Sequence, residues 1–413
     1  MTSPPLTGLR VVDLSTWIAG AYCTKLLADG GADVTKVESP AGDPLRQWSA
    51  SGAQIAADAD GALFNFLGAA KQSVVVDPAR VDDIATLLDL LASADAVIWS
   101  KGSGVAEHPA LAPREILRAH PHLTVTSITS FGLDGPWRDM PATEFTLQAW
   151  SGAMIGLGRG APDRAPVHVG GQIGEWLTGI YAAIGTLASR RRARSGGELV
   201  DVSMLEAMAM GLTYYPVTFH DQLGYPMRKR RGVPTPGVAA AKDGLVGLGC
   251  GTGQQWLDFC AMVGHPEWTE DSSLFLKRTG LAPTIDAWVA DRTVDEVLDL
   301  ATGFRIPNAP IVDGANAPNV DHFQACDTFR KNPTDGAVNP RPPVRLSSAS
   351  LRAAEPAPRL GADTAAAKAE RRDARSATIA TVKPLPFSGL RVLDMTAYWA
   401  GPLVGHILAL LGA

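Results

Sequence analysis

Residues 6–38 read LTGLRVVDLSTWIAGAYCTKLLADGGADVTKVE, and the fold follows from this stretch. Leu9-Arg10-Val11-Val12-Asp13-Leu14 is a short, largely apolar run between Gly8 and Ser15. From Ala21 to Ala28 the apolar residues recur at helical spacing, and Gly30-Gly31 stops the pattern. Val34-Thr35-Lys36-Val37 then alternates as a strand does. Strand, helix, strand in this order is a βαβ opening and predicts a parallel sheet.

The same alternation continues along the chain. Lys71–Val76, Ala96–Trp99, Leu123–Ile128 and Glu198–Ser203 read as strands, the third closing on the turn from Phe131 to Pro136. Ile84–Leu91, the apolar run 176–189 and Met204–Leu212 read as helices. Arg190, Arg191, Arg192 and Arg194 follow the second of these, where cations complement a helix dipole. The expected fold class is α/β, with an open parallel sheet in a large domain over 1–212. Prolines and glycines then crowd together, and 213–224 is read as a connecting segment. A smaller α/β domain is expected over 225–330, with a strand at Leu245–Leu248 and helices at Gln254–Val263, Ile285–Val289 and Val294–Leu300. Residues 331–346 should return to the large domain. The stretch 347–385 is rich in alanine and charge and lacks aromatic residues, so it is read as a linker without a core of its own.

Composition narrows the function classes. The 413 residues are 46% apolar and 19% charged, which is ordinary for a globular chain. A net charge of −5 argues against binding nucleic acid through bulk positive charge. It leaves room for a small anionic ligand in a locally basic pocket. Cys23, Cys250, Cys260 and Cys326 contain no C-x-x-C pair, so neither a disulfide framework nor a metal site is expected. The opening MTSPPLTGLR lacks an apolar signal core, and no stretch reaches the ~18 apolar residues of a membrane helix. A reduced, soluble, cytoplasmic protein with no membrane partner is expected.

The opening recurs near the other end. Residues 387–413 read FSGLRVLDMTAYWAGPLVGHILALLGA and align without gaps on residues 6–32, with 11 of 27 positions identical. Such a distance is far too long for a solenoid period and indicates duplication of a whole domain-sized unit. Residues 386–413 are therefore expected to be the incomplete start of a second copy in a tandem protein, cut short early in that copy. Lacking sheet partners, they should be disordered or held against a borrowed surface.

The repeated opening resembles the family III CoA-transferases, which include formyl-CoA and carnitine CoA-transferases and share a fold with the α-methylacyl-CoA racemases. The resemblance continues through Leu26–Glu38, Gly42-Asp43-Pro44 with Arg46, and Lys71–Asp77. It extends to Phe131-Gly132 with Gly135-Pro136, Gln148–Gly152, Val200–Ser203 with Glu206-Ala207, and Lys242-Asp243-Gly244. It covers about 1–345. It implies a Rossmann-like large domain, a smaller domain, and two protomers threaded through one another as a homodimer or as an intrachain pseudo-dimer. It implies CoA transfer between an acyl-CoA thioester and a carboxylic acid through an enzyme acyl anhydride. CoA is then a substrate, and no permanently bound cofactor is expected.

The family nucleophile is the Asp of an Asp-x-x-x-Gly segment; here the segment is Glu175-Trp176-Leu177-Thr178-Gly179. Glu175 keeps the carboxylate and moves it by one methylene. Trp17, Ile18 and Ala19 occupy the turn that meets CoA in the family, and Ser100 and Lys101 stand where the family has Asn-Phe. Lys71 is either a nucleotide contact or a structural lysine. Ser39 replaces a family arginine. Racemases place a histidine before an acidic residue where this chain has Thr143-Glu144, and a threonine is no general base near neutral pH. Two readings follow: an active CoA-transferase, or a degenerate structural half whose second copy carries the active Asp.

Overall fold

The computed structural model describes residues 3–158, 165–192, 196–213, 224, 235–271, 273, 277–370, 373–375, 385–397 and 399–413. Most of the expected connecting segment 213–224 and the basic run Arg228–Arg231 lie outside these residues. The chain divides into two compact units, one of residues 1–158, 166–227 and 329–413, the other of 159–165 and 228–328.

The larger unit is built on a six-stranded sheet. Its strands are β1 (Arg10–Leu14), β2 (Asp33–Glu38), β3 (Gln72–Val75), β4 (Ala96–Ser100), β5 (Thr124–Thr129) and β6 (Glu198–Ser203). They lie in the order β3-β2-β1-β4-β5-β6. All are parallel, with Val12 opposite Thr35 on one side and Val97 on the other. Every residue of β4 is buried. A strand covered on both faces reads as a continuous apolar run, which is why Ala96–Trp99 shows no alternation.

Two helical layers cover the sheet. On one face, α1 (Trp17–Asp29) and the helix Ile173–Arg192 contribute Ala19, Cys23, Leu27, Ala182 and Ala183 to a core with Val11, Val34, Ile98 and Ile128. On the other, Leu87 and Leu91 of the helix Val81–Ser93 and Ile116 of Pro113–Ala119 pack on Leu14, Val74, Val97 and Val125. Strand order reverses between β1 and β4, and a crevice opens beyond their carboxyl ends, as in doubly wound folds generally.

Glu38 and Arg46, both within the family-like opening, are paired inside the fold. Glu38, at the end of β2, receives both Nε (2.7 Å) and Nη2 (2.8 Å) of Arg46. Arg46 also lies 3.9 Å over the Phe64 ring. Burial raises the Glu38 pKa, but its Arg46, Lys36 and Ser73 partners outweigh this and hold the carboxyl below the usual range. A buried bidentate pair of this kind is costly to break from one side only.

The alanine-rich stretch departs from the expectation of a linker. Residues 361–364 lie along the open edge of β3: Ser73 N donates to Asp363 Oδ2 (2.8 Å) and Val75 N to Thr364 Oγ1 (2.9 Å). Ala367 is buried in the large core. Arg375 pairs with Asp95 (2.6 Å) and Lys368 with Asp83 (2.6 Å). The segment needs no core of its own because it borrows that of the sheet, and it covers an edge that would otherwise be free to pair.

The repeat is locally faithful and globally different. Asp394 Oδ1 accepts from Thr396 N (2.8 Å) and Oγ1 (2.5 Å), as Asp13 Oδ1 accepts from Ser15 N (3.0 Å) and Oγ (2.5 Å). Gly389 and Gly412 have φ of 84° and 101°, matching Gly8 at 84° and Gly31 at 102°. The helix Ala400–Leu410 corresponds to α1. Yet 391–397 form no strand. Leu393 is 84% exposed and Met395 86%, where their counterparts Val12 and Leu14 are buried.

In the smaller unit, strands Val238–Ala240, Leu245–Leu248 and Asn308–Pro310 form an antiparallel sheet. Helices Gly253–Met262, Ala282–Ala290 and Val294–Gly303 pack their Phe259, Val289 and Val297 into its core. Asp243 accepts from Val294 N (2.8 Å), tying its strand-connecting turn to the start of the last helix.

Candidate active site

The turn after β1 is held rigidly. Ser15 N and Oγ donate to buried Asp13, and Thr16 N donates to Ser100 Oγ (2.9 Å) at the end of β4. Trp17 then opens α1 with φ of 61°. A bulky residue in left-handed backbone costs on the order of 1–3 kcal/mol and persists only where its surroundings dictate it. The first amides of α1, unpaired within the helix as at any helix N-terminus, face the crevice.

Glu175 meets them there. Its Oε2 accepts from both Ile18 N and Ala19 N, each at 3.0 Å. The two helices can approach so closely because of Gly179. A Cβ at that position would stand 2.6 Å from Ala19 O and 3.2 Å from Tyr22 Cβ. The Glu-x-x-x-Gly spacing is thus explained physically: the carboxylate sits in the first turn, and the glycine just over one turn later permits the crossing that delivers it.

A second carboxylate supports the first. Glu144, from the helix Glu144–Trp150, accepts from Gly174 N (3.0 Å) and from Gln148 Nε2 (2.7 Å). Gln148 in turn clamps Val169, accepting from its N (2.9 Å) and donating to its O (2.8 Å). Burial pushes the Glu175 carboxyl above the usual glutamate range. The Ala19 and Ile18 amides pull it partly back, and the Glu144 charge pushes it further up. Thr143 caps this helix through Thr146 and has no acid–base part.

Thr16, Ile18, Ala19, Glu144 and Glu175 line one cleft of about 570 Å³. It brings together Trp17, Ile18, Ala19, Ser100, Lys101 and Glu175, six of the seven residues singled out from sequence. Lys71 is the exception. Its ammonium is enclosed beneath α1, donating to Thr24 Oγ1 (2.6 Å) and Ala21 O (3.0 Å) beside Asp13 (3.4 Å). Burial lowers its pKa to about 8 even against the Asp13 charge. Enclosed in this way, the ammonium does not line the cleft. Lys101 and Arg138 at the cleft share Asp139, at 3.2 Å and 3.0 Å.

Glu144, Gln148 and Arg138 with Asp139 were not read as site residues from sequence. Thr143-Glu144 had drawn notice only through the histidine it lacks. Nothing in spacing announces that Glu144 will reach across 30 residues to the amide of Gly174.

A doubly wound sheet with a part-buried carboxylate held on helix amides at the switch crevice is an arrangement suited to carboxyl and acyl chemistry. Residues 6–364 match CoA-transferase family III, and the chain belongs to that family. It is 28% identical over 390 residues to a succinate–glutarate CoA-transferase of Agrobacterium fabrum, covering 89% of this chain and 96% of the relative. It is 30% identical over 335 residues to a succinyl-CoA:mesaconate CoA-transferase of Haloarcula hispanica, covering 77% and 83%. Among solved structures, a CAIB/BAIF family protein from Brucella suis superposes with a TM-score of 0.78 at 27% identity, covering 89% of this chain and 99% of that one. Among the described residues, no helix is long and apolar enough to cross a membrane.

Proposed function

We propose that this chain moves CoA from an acyl-CoA thioester to a carboxylic acid with Glu175 as nucleophile. The observation that carries the reading is the Glu175 carboxylate seated on the Ile18 and Ala19 amides inside the cleft. A Glu175 oxygen adds to the thioester carbonyl; the C–S bond breaks, CoA leaves as thiolate, and a mixed anhydride forms. The thiolate returns to the glutamyl carbonyl and breaks the anhydride, releasing the donor acid as carboxylate and leaving CoA on Glu175. An acceptor carboxylate attacks this thioester, forming a second anhydride and freeing the thiolate. Attack of the thiolate on the acceptor's acyl carbon gives the new acyl-CoA and restores Glu175. The Ile18 and Ala19 amides are placed to stabilise the oxyanions on this path. Trp17, Ser100 and Lys101 border the thioester end of CoA in this reading. The arrangement supports a working site over a degenerate half.

The test is chemical trapping. With an acyl-CoA and hydroxylamine, Glu175 should become a hydroxamate, read as a mass change on the peptide containing it. Glu175→Gln should abolish both labelling and transfer, because an amide is not a usable nucleophile, whereas Glu175→Asp should retain transfer. Unlabelled Glu175 during active turnover would overturn the assignment.

The same reading includes an interlocked pair of domains in a reducing, cytoplasmic setting. Ile173, Ile180 and Leu187 support the pairing: they recur every seven residues along one helix face and are 39%, 39% and 38% exposed. The cysteines, which form no disulfide, suit that setting. The repeat at 387–413 supports a tandem origin, in which that segment opens a second copy of the domain. Sedimentation should give a dimer of this chain; a monodisperse monomer would remove the interlocked reading.

A further inference from the structure

The peptide unit between Ser15 and Thr16 is held at both ends by other elements. Its carbonyl, Ser15 O, accepts from Lys36 Nζ of β2 (2.6 Å), and its amide, Thr16 N, donates to Ser100 Oγ of β4 (2.9 Å). Lys36 is 3% exposed and is not among the residues that line the cleft. Asp43 pairs with its ammonium at 2.7 Å, and Asp13 stands 3.9 Å away. Burial lowers the Lys36 pKa, but the Asp13, Asp43 and Glu38 charges outweigh this and hold it above the ordinary lysine range, so the group stays an ammonium. Buried ions of this kind are costly to desolvate and are weak evidence of stability, since apolar side chains of similar volume often serve a fold as well. Their place, immediately before the left-handed Trp17 and the amides that receive Glu175, gives them another use.

The similar segment near the other end separates what this turn does alone from what is added to it. Asp394 closes on Thr396 as Asp13 closes on Ser15. Its helix nevertheless begins only at Ala400, which aligns with Ala19, and Trp399 is the cap with φ of −125°. The aligned Ile18 already lies inside α1. The Asp-to-Ser closure therefore does not by itself set the first turn of the helix, the turn whose amides meet Glu175. We propose that Lys36 is a positioning residue: by fixing Ser15 O it sets the direction of the Ile18 and Ala19 amides and holds them on the Glu175 carboxylate. The inference rests on the transferase reading and adds to it a residue outside the cleft.

The full chain is assayed across pH with succinyl-CoA as donor and with glutarate, mesaconate or acetate as acceptor. The two amides stabilise the ionised carboxylate, so letting them drift raises the Glu175 pKa. Lys36→Met should therefore move the acid limb of kcat/KM to higher pH. It should also lower kcat roughly 100-fold while KM for succinyl-CoA stays within about twofold, since the oxyanion donors and not the cleft lining are disturbed. The double variant Lys36→Met with Asp43→Asn removes a cation and an anion together. It frees Ser15 O at unchanged net charge and should show the same shift; it is also the variant read if Lys36→Met alone does not fold. A double variant that folds by circular dichroism and keeps the limb and kcat of the unaltered chain overturns the inference. So does a shift confined to the single variant, which is a charge effect, and so does failure of both to fold, because Lys36 then serves the fold and not the site. If no acid is used, that result counts against the transferase reading. The inference is then decided by carbon NMR of protein labelled in its glutamate carboxyls, the Glu175 signal being the one lost in Glu175→Gln. Titration of Glu175 at higher pH in the double variant than in the unaltered chain supports it, and an unmoved titration overturns it.

Discussion

Glu175 stands where the resemblance implies an aspartate, and its carboxylate reaches from the first turn of its helix to the amides of Ile18 and Ala19. The pH dependence follows from its surroundings. In the proposed reaction Glu175 must be ionised, and burial together with the Glu144 charge raises its pKa, so protonation begins at a higher pH than for an ordinary glutamate. Activity is therefore expected to fall as the pH drops through that raised value. Glu144→Gln removes the like charge but keeps an oxygen to accept from Gly174 N. A kcat/KM profile should show the acid limb of this variant displaced to lower pH; an unmoved limb would mean that another group controls it. Of this constellation, Glu175 was legible in sequence through its motif. Glu144 was not, because its partner is a backbone amide brought close only by the packing of two helices.

The crossing of α1 on the helix Ile173–Arg192 is the element on which the site depends, and Gly179 is its narrowest point. An alanine there would press on backbone Ala19 O, which has no flexible end to swing aside. Gly179→Ala should cost about 1–3 kcal/mol in a urea unfolding experiment, the range for an overpacked core. Because it also pushes Glu175 off its amides, kcat should fall roughly 100-fold, as expected for a misplacement near 1 Å. Loss of stability without loss of rate would separate the crossing from the site. Sequence located both helices by their apolar spacing but said nothing of their approach distance. Lys71 shows the same limit from the other side: a lysine in a family-like strand could face a nucleotide or the core, and the depth of Asp13 beneath α1 decided for the core.

Across the whole molecule two segments of similar sequence form an internal control. The segments 6–32 and 387–413 adopt the same turns and the same helix, yet only the first contains a strand. Amide exchange should separate them: Val11–Leu14 are expected to be strongly protected and Val392–Met395 to exchange rapidly. Comparable protection of both would show that the second segment has found a sheet to join.

The pair also marks where sequence stops determining this protein. An Asp capping the next Ser or Thr, a positive-φ glycine and a helix are closed by hydrogen bonds within a few residues, so the same letters yield the same geometry wherever they occur. The turns and helices were legible for that reason, and the strands between them through their apolar runs. A strand has no such closure, since its amides and carbonyls are met only by other strands. β1 finds β2 and β4, and its repeat finds neither. The alanine-rich stretch became an edge cover, and Glu175 a carboxylate on helix amides, for the same reason: each is completed by groups distant in sequence, and only the packed chain brings those groups within bonding distance.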